Sequence, residues 1–318
     1  MDRLKILVTG GAGFIGSHVV EHYLNLGHEV FVLDNLSTGN IENIPFLKSE
    51  YLFEEDIRDL DLVKDIVKEN QFDIIVHLAA VVSVVDTIND PINSNEVNIT
   101  ATLNLLEANR LYNSNIKRII FASSAAVYGN NTQLPNSITK LVNPISPYAI
   151  QKYAGEQYVK QYSNLYGIPT TALRFFNVYG PRQDPKSAYS GVLSIMQSSY
   201  LDEKPFTFFG DGTQTRDFVY VKDVLQAISL VSESEEAIGQ VYNVGTGKPS
   251  SLMEVFEFLG NVLEKDISTK FVNEREGDIK HSFADIQELT DLGYTPKYSI
   301  EDGLYSYINE STKKEIGV

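Results

Sequence analysis

Two hydrophobic rhythms alternate through the first 180 residues of the chain. Runs of consecutive apolar residues read as strands buried on both faces, and segments whose apolar residues return every three or four positions read as amphipathic helices. The strand-like runs are "KILVTG" from Lys5, "EVFVLD" from Glu29, "EYLFEED" from Glu50, "FDIIVHLAA" from Phe72, "IKRIIFASS" from Ile116 and "TTALRFFNV" from Thr170. Helices are predicted over 14–26, 60–69, about 93–112 and 148–166, the last opened by Pro147, which suits a helix N-terminus. Apolar strands alternating with helices predict a doubly wound parallel sheet covered on both faces. After Gly180 the rhythm loosens and the elements shorten, through "GPRQDPKSAYSG" and "KPFTFFGDGTQTRDFVYVKDV". The expected architecture is α/β. A Rossmann-type domain spans 1–178 and a smaller mixed α/β domain spans 179–318, packed at the strand ends, with some of its segments returning to the first.

Composition narrows the chemistry. The 318 residues hold no cysteine, which excludes disulfides, thiolate zinc sites and a cysteine nucleophile. Twenty-six basic against 42 acidic residues give a net charge of −16, which argues against a nucleic-acid partner. An anionic small ligand must then be gripped by a few locally placed basic residues. The opening apolar run is too short to span a membrane and carries no signal-peptide pattern, so the cytoplasm is the expected compartment.

The stretch "GGAGFIGSHVVEH" places Gly10, Gly13 and Gly16 in a G-x-x-G-x-x-G spacing between a strand and a helix. In that setting glycine lets the backbone approach a pyrophosphate, and the helix N-terminus offers unpaired amides and a partial positive charge. A tight turn that binds nothing would use the same glycines. Asp34 ends the second strand, 34 − 16 = 18 residues past Gly16. A carboxylate there can accept both ribose hydroxyls of an adenosine and would repel a 2′-phosphate, which favours NAD over NADP.

"SPYAIQK" sets Tyr148 and Lys152 at i and i+4, on one helical face. A tyrosine of ordinary pKa, about 10, is a poor base at neutral pH. A neighbouring ammonium, joined by an oxidised nicotinamide, is expected to lower it into a usable range. Alone, this spacing also describes an ordinary solvated helix face. Ser124 ends the fifth strand, where ligands of open parallel sheets gather, and its hydroxyl can relay a proton between a sugar and the phenol. A serine there could equally be a turn former.

Taken together, "TGGAGFIGSH", "HLAA", "SSAAVYG", "PYAIQK", "RFFNVYGPRQ", "FGDGTQTRDFVYVKD" and "YNVGTG" resemble the extended short-chain dehydrogenase/reductases, and more narrowly the UDP-hexose 4-epimerases. That resemblance covers nearly the whole chain. It implies NAD on the first domain, a UDP-sugar on the second, and a cycle in which C4 is oxidised to a ketone and reduced on the opposite face. Catalysis would fall to Ser124, Tyr148 and Lys152. NAD contacts are implied for Gly10, Gly13, Phe14, Ile15, Gly16, Asp34, Asn35, Ser37, Thr38, Gly39, Asp56, Ile57, Leu78, Ala79, Ala80, Asn98, Tyr148, Lys152, Phe175 and Val178. Substrate contacts are implied for Ser83, Ser124, Asn177, Val192, Thr207, Phe208, Phe209, Arg216, Arg275, Asp278 and Ser282. Within that set Arg216 and Arg275 would clamp the diphosphate, Phe208 and Phe209 line the uracil site, Asp278 hold the UDP ribose and Asn177 touch a phosphate. His77 would pack beneath the cofactor, and no metal is implied.

Two positions refine the resemblance. Ala125 and Ala126 stand where related dehydratases and decarboxylases carry acidic residues, which weakens both of those alternatives. Ser282 stands where epimerases restricted to glucose and galactose carry a bulky tyrosine, leaving room for a 2-acetamido group. "VVSVVDTINDPINSN" also looks like the N-acetylhexosamine-preferring branch, with Ser83 near the sugar, although Val82 departs from the lysine or glycine common there. Interconversion of UDP-GlcNAc and UDP-GalNAc is therefore expected, with the unacetylated or uronic forms as further substrates. A uronate epimerase, a decarboxylase or a non-catalytic NAD-sensing protein remains as an alternative. Leu103, Leu106, Tyr153, Tyr158 and Tyr162 cannot all face one sheet, so a homodimer through these helices is expected, with cover by the second lobe as the other possibility.

Overall fold

The computed structural model describes residues 3–183, 191–274 and 279–316. Its contacts divide the chain into two units. The first comprises 1–127, 144–174 and 225–242, and the second 128–143, 175–224 and 243–318. This division is more interleaved than a single cut after residue 178: the chain passes between the units several times, and Phe175 and Val178 group with the second.

The first unit opens with β1 (Lys5–Thr9), α1 (Phe14–Asn25), β2 (Glu29–Leu33), β3 (Leu52–Phe53), α2 (Leu60–Asn70) and β4 (Ile74–His77). It continues with α3 (Val84–Asn89), α4 (Pro91–Asn95), α5 (Ala101–Tyr112), β5 (Arg118–Ser124), α6 (Pro147–Tyr166) and β6 (Thr170–Phe175). The sheet runs β3-β2-β1-β4-β5-β6 and is closed by a seventh strand at Val241–Val244. The order reverses beside β1: β2 pairs on one side and β4 on the other, both parallel. Such a reversal opens a crevice outside the carboxyl ends of the strands, the usual ligand site of open α/β sheets. The sheet core is aliphatic and aromatic, with Leu7, Leu33, Ile75, Ile119, Phe121 and Ala172 buried together.

Two expected elements take a different form. "EYLFEED" supplies only the two-residue β3, because a 3-10 turn at Ser49–Tyr51 enters it and a loop follows. The predicted helix over 93–112 starts earlier, at Pro91, and carries a π turn at Glu96–Thr100 between α4 and α5. Helix α6 begins at Pro147, with Ser146 capping the Ala149 amide at 3.2 Å, and ends at Gly167 in the left-handed conformation.

The second unit holds β7 (Asn177–Tyr179), α7 (Val192–Leu201), β8 (Phe206–Phe209), β9 (Thr215–Arg216) and β10 (Phe218–Tyr220). Among the described residues it has three small sheets rather than one wound sheet. β7 pairs β10, β8 pairs a strand at Thr269–Val272, and β9 lies between strands at Ser250–Ser251 and His281–Ser282. Aromatic packing holds it: Phe206, Phe208 and Phe256 meet with ring centroids 4.8 to 5.5 Å apart. Among the described residues no helix is long and apolar enough to cross a membrane.

Candidate active site

The glycine turn lies at the reversal point. Thr9 and His77 are partners across β1 and β4, so the segment after β4 crosses directly over the turn after β1. Gly10 has φ +70°, and a Cβ there would stand 2.8 Å from the Ala79 amide nitrogen. Glycine is therefore required at this position by both backbone and space. Gly13 is the N-cap of α1 and no side chain caps that helix, which leaves its first amides for a ligand. Phe14, Ile15, Leu78, Ala79 and Ala80 are partly exposed around this turn, whereas Gly16 is buried against it.

Asp34 is oriented by its own backbone surroundings. Oδ2 accepts from the Ala12 amide and Oδ1 from the Leu36 amide, each at 2.9 Å. Burial raises its pKa, with these two amides acting in the opposite sense. A Cβ on Gly39 would fall 2.9 Å from Oδ1, so this loop lies against the carboxylate. Ser37 and Thr38 are exposed beside it, and Ser37 donates its amide to Asn35 Oδ1 at 3.1 Å. Asp56 is held by Arg58 at 2.7 Å and by Asn35 at 3.1 Å, and the Arg58 hydrogen bonds bring its pKa down to about 2. Ile57 beside it is buried.

Two predicted ligand contacts, Asn98 and Ser83, and the packing residue His77 have structural partners of their own. Asn98, in the π turn, accepts from the Val81 amide at 2.8 Å and donates to the Val81 carbonyl at 3.0 Å and to Gln151 Oε1 at 2.8 Å. It fastens the loop after β4 to α6, and π turns are frequent at functional sites. Ser83 caps α3 by accepting from the Asp86 amide at 3.0 Å. His77 bonds Thr9 at 2.7 Å and Thr102 at 2.9 Å; burial lowers its pKa to about 3, the Lys152 charge adding to the effect. Both ring nitrogens are engaged and the ring stays neutral, so it serves packing rather than proton transfer.

Ser124, Tyr148 and Lys152 come together at the carboxyl end of β5. The Ser124 hydroxyl accepts from the Ala126 amide at 3.2 Å and lies close enough to Tyr148 to act on its phenol. Lys152, 4 % exposed, donates to the Ala122 carbonyl at 2.9 Å, with Nζ 5.9 Å from the Tyr148 ring centre. Burial opposes part of the expected effect here. It raises the Tyr148 pKa and outweighs the lowering by Ser124, and the same burial lowers Lys152 to about 8. The protein's own charges therefore do not make the phenol acidic. A further positive charge at the site is needed for that.

The second unit gathers part of the predicted substrate set. Arg216 and Ser282 are register partners on adjacent strands, both partly exposed. Arg216 donates to the Thr215 carbonyl at 2.9 Å. Asn177 starts β7, paired opposite Phe218, and Val192 starts α7. Phe208 is 1 % exposed, stacked on Phe271 with centroids 5.3 Å apart, whereas Phe209 is 37 % exposed. Strand alternation thus turns Thr207 and Phe209 outward and corrects the expectation that Phe208 presents its ring to a ligand. Arg275 and Asp278 lie outside the described residues.

Two further groups were not anticipated. Glu156 is 0 % exposed and bonds Arg174 and Ser123. Asp217 is equally buried and accepts four hydrogen bonds in the second unit. The continuation of Y-x-x-x-K to a glutamate four residues on was a signal available for the first. Nothing local marks the second.

A parallel sheet with its reversal point at a glycine turn, a buried aspartate after β2, and a serine–tyrosine–lysine cluster at the end of β5 define a Rossmann-type dinucleotide enzyme. The model of the NAD dependent epimerase/dehydratase family matches residues 6–245, and the chain belongs to that family. It is 37% identical over 306 residues to the UDP-glucose 4-epimerase of Mycolicibacterium smegmatis, covering 95% of this chain and 96% of that one. Among solved structures it is similar to the UDP-N-acetylglucosamine 4-epimerase from Methanobrevibacter ruminantium M1 in complex with UDP-N-acetylmuramic acid. There the TM-score is 0.91 and the identity 39%, with 99% of this chain and 100% of that one covered. A Thermus thermophilus UDP-glucose 4-epimerase in complex with NAD gives a TM-score of 0.88 at 36% identity, covering 97% and 99%. NAD is the cofactor, and the residues present fit it: the Gly10 cradle that a Cβ would fill, the uncapped N-terminus of α1 and the oriented Asp34 carboxylate.

Proposed function

We propose that the chain inverts C4 of a UDP-hexose, interconverting UDP-GlcNAc and UDP-GalNAc and turning over the UDP-Glc/UDP-Gal pair as well. The observation that carries this is the convergence of Ser124, Tyr148 and a buried Lys152 at the carboxyl end of β5. Bound NAD supplies a hydride acceptor and donor. The chain's own residues move the proton. Tyr148 exchanges it with the C4 hydroxyl, directly or through Ser124, and Lys152 favours the phenolate when both are charged. Arg216 suits the diphosphate, since a guanidinium fork matches phosphate oxygens. The acetylated preference rests on Ser282, a small side chain adjacent in register to Arg216, and on the likeness to an N-acetylglucosamine enzyme. The unacetylated pair is supported by the likeness to UDP-glucose 4-epimerases.

We also read the protein as a homodimer. Leu106 and Tyr162 pack inside the first unit, but Tyr158 and Leu165 on α6 and Leu111 on α5 remain exposed. A stretch of apolar side chains on neighbouring helices is a candidate self-association face.

The test is incubation with UDP-GlcNAc, UDP-Glc and UDP-GlcNAcA followed by chromatographic separation of C4 isomers. C4 isomers should form from the first two without net NADH. Ser282→Tyr should abolish turnover of the acetylated sugar and spare the neutral one. Equal loss on both would refute the gate, and tightly held NAD with no turnover would favour a sensing role.

A further inference from the structure

Three contacts in successive turns fasten α6 to the strand it covers. The Tyr148 hydroxyl meets Ser124, and Lys152 Nζ meets the Ala122 carbonyl at 2.9 Å. One turn further, Glu156 accepts from Ser123 Oγ at 2.7 Å and from Arg174 Nε and Nη2 at 2.9 and 2.7 Å. Residues 148, 152 and 156 share one helical face. The first two contacts belong to the proton-transfer cluster. The third lies behind it and ties α6 to β5 and β6.

Its presence calls for an explanation. A buried ion pair is often no more stabilising than apolar residues of similar volume, because desolvation cancels much of the attraction. What it does supply is direction: the planar guanidinium fork accepts a carboxylate in one geometry. The neighbouring helix–strand contact lacks that property. Gly155 sits against the Phe121 ring, where a Cβ would fall 2.6 Å from a ring carbon. Such a smooth contact sets how near the helix lies and leaves free how far it slides along its axis. Ser123 and Ser124 are consecutive, so a group that grips Ser123 also fixes the height of α6 relative to Ser124.

We propose that Glu156, Arg174 and Ser123 form a positioning device that sets the axial register of α6 on β5 and thereby aligns Tyr148 and Lys152 with Ser124. The proposal rests on the C4-inversion reading. A misplacement of about 1 Å can cost about 100-fold in rate. Binding of the UDP moiety, assigned to other segments, is unaffected.

The experiment compares the NAD-loaded parent, Glu156→Gln, and the double variant Glu156→Gln with Arg174→Met. It measures kcat and KM for the UDP-sugar, thermal unfolding, and the Lys152 Nζ to Ala122 O separation by crystallography. The single variant takes the carboxylate away from a buried Arg174 and unfolds earlier. The double variant removes both charges and recovers the parental unfolding midpoint within a few degrees. Its kcat stays at least about 10-fold below the parent, its KM stays within about threefold, and the separation lengthens. A double variant that regains stability and kcat together, with the separation unchanged, overturns the proposal by making the cluster purely structural. A parent that turns over no UDP-sugar overturns the C4 reading instead, and the separation then decides the positioning claim alone.

Discussion

Glu156 in the first unit and Asp217 in the second are both wholly buried carboxylates, and the protein satisfies them in different ways. Glu156 has a cation, Arg174, in a bidentate pair 2.7 Å apart at its closest. Asp217 accepts from Thr246 through its amide and hydroxyl, each at 2.7 Å, from Gly247 at 2.9 Å and from the Ala284 amide at 3.1 Å. A side-chain pair can be replaced on both sides at once. Backbone donors cannot be removed, so they need their acceptor in every variant. The first arrangement aligns a long helix on a long strand. The second pins together segments that have little regular structure of their own, including the two-residue strands that carry Arg216 and Ser282.

The largest effect expected from that contrast falls on Asp217. Asp217→Ala leaves three backbone amides, those of Thr246, Gly247 and Ala284, without this acceptor at about 1 kcal/mol or more each, so denaturant unfolding should show a loss of about 3 kcal/mol or more. The paired double variant at Glu156 and Arg174 should lose far less. Equal losses would remove the distinction between the two carboxylates.

A smaller effect sharpens the first unit's side of the comparison. Burial lowers Lys152 from 10.5 to about 8, so the folded protein holds that proton less tightly than the unfolded chain. Below about pH 8 both states are protonated and the folded state carries the full penalty, which fades as pH rises towards 10.5. Lys152→Met should therefore abolish turnover and yet stabilise the NAD-free protein at pH 7 by about 2 kcal/mol, net of the Ala122 carbonyl it leaves unpaired. That gain should vanish near pH 10.5. Thermal unfolding at the two pH values checks it, and an unchanged difference across that range would mean that the lysine is not desolvated in the way described.

The two units also differ in how far the sequence announced them. Long periodic segments were legible: the strands of the main sheet, the Pro147 start of α6, the Gly10 turn and the Tyr148–Lys152 face all follow from spacing. The π turn was not, because an extra residue in one turn leaves no local mark in the 93–112 pattern. Nor was Asp217, whose partners lie 29, 30 and 67 residues away and meet it only after folding. Two-residue strands have no period to read, so the pairing of Arg216 with Ser282 emerged from the structure. The tyrosine's acidity was anticipated from two positive charges, the neighbouring ammonium and an oxidised nicotinamide. The structure adds burial, which acts on both residues and reverses the sign for the protein by itself.

That reversal defines the most direct measurement. The ionisation of Tyr148 can be followed by ultraviolet difference titration of the parent against Tyr148→Phe, with NAD bound and with NAD removed. The account predicts a midpoint above that of free tyrosine without NAD, where burial dominates, and a clear drop below it when the cationic nicotinamide is present. A phenol that ionises no more readily than free tyrosine in the NAD-bound protein would contradict the proposed role of Tyr148 as the proton acceptor.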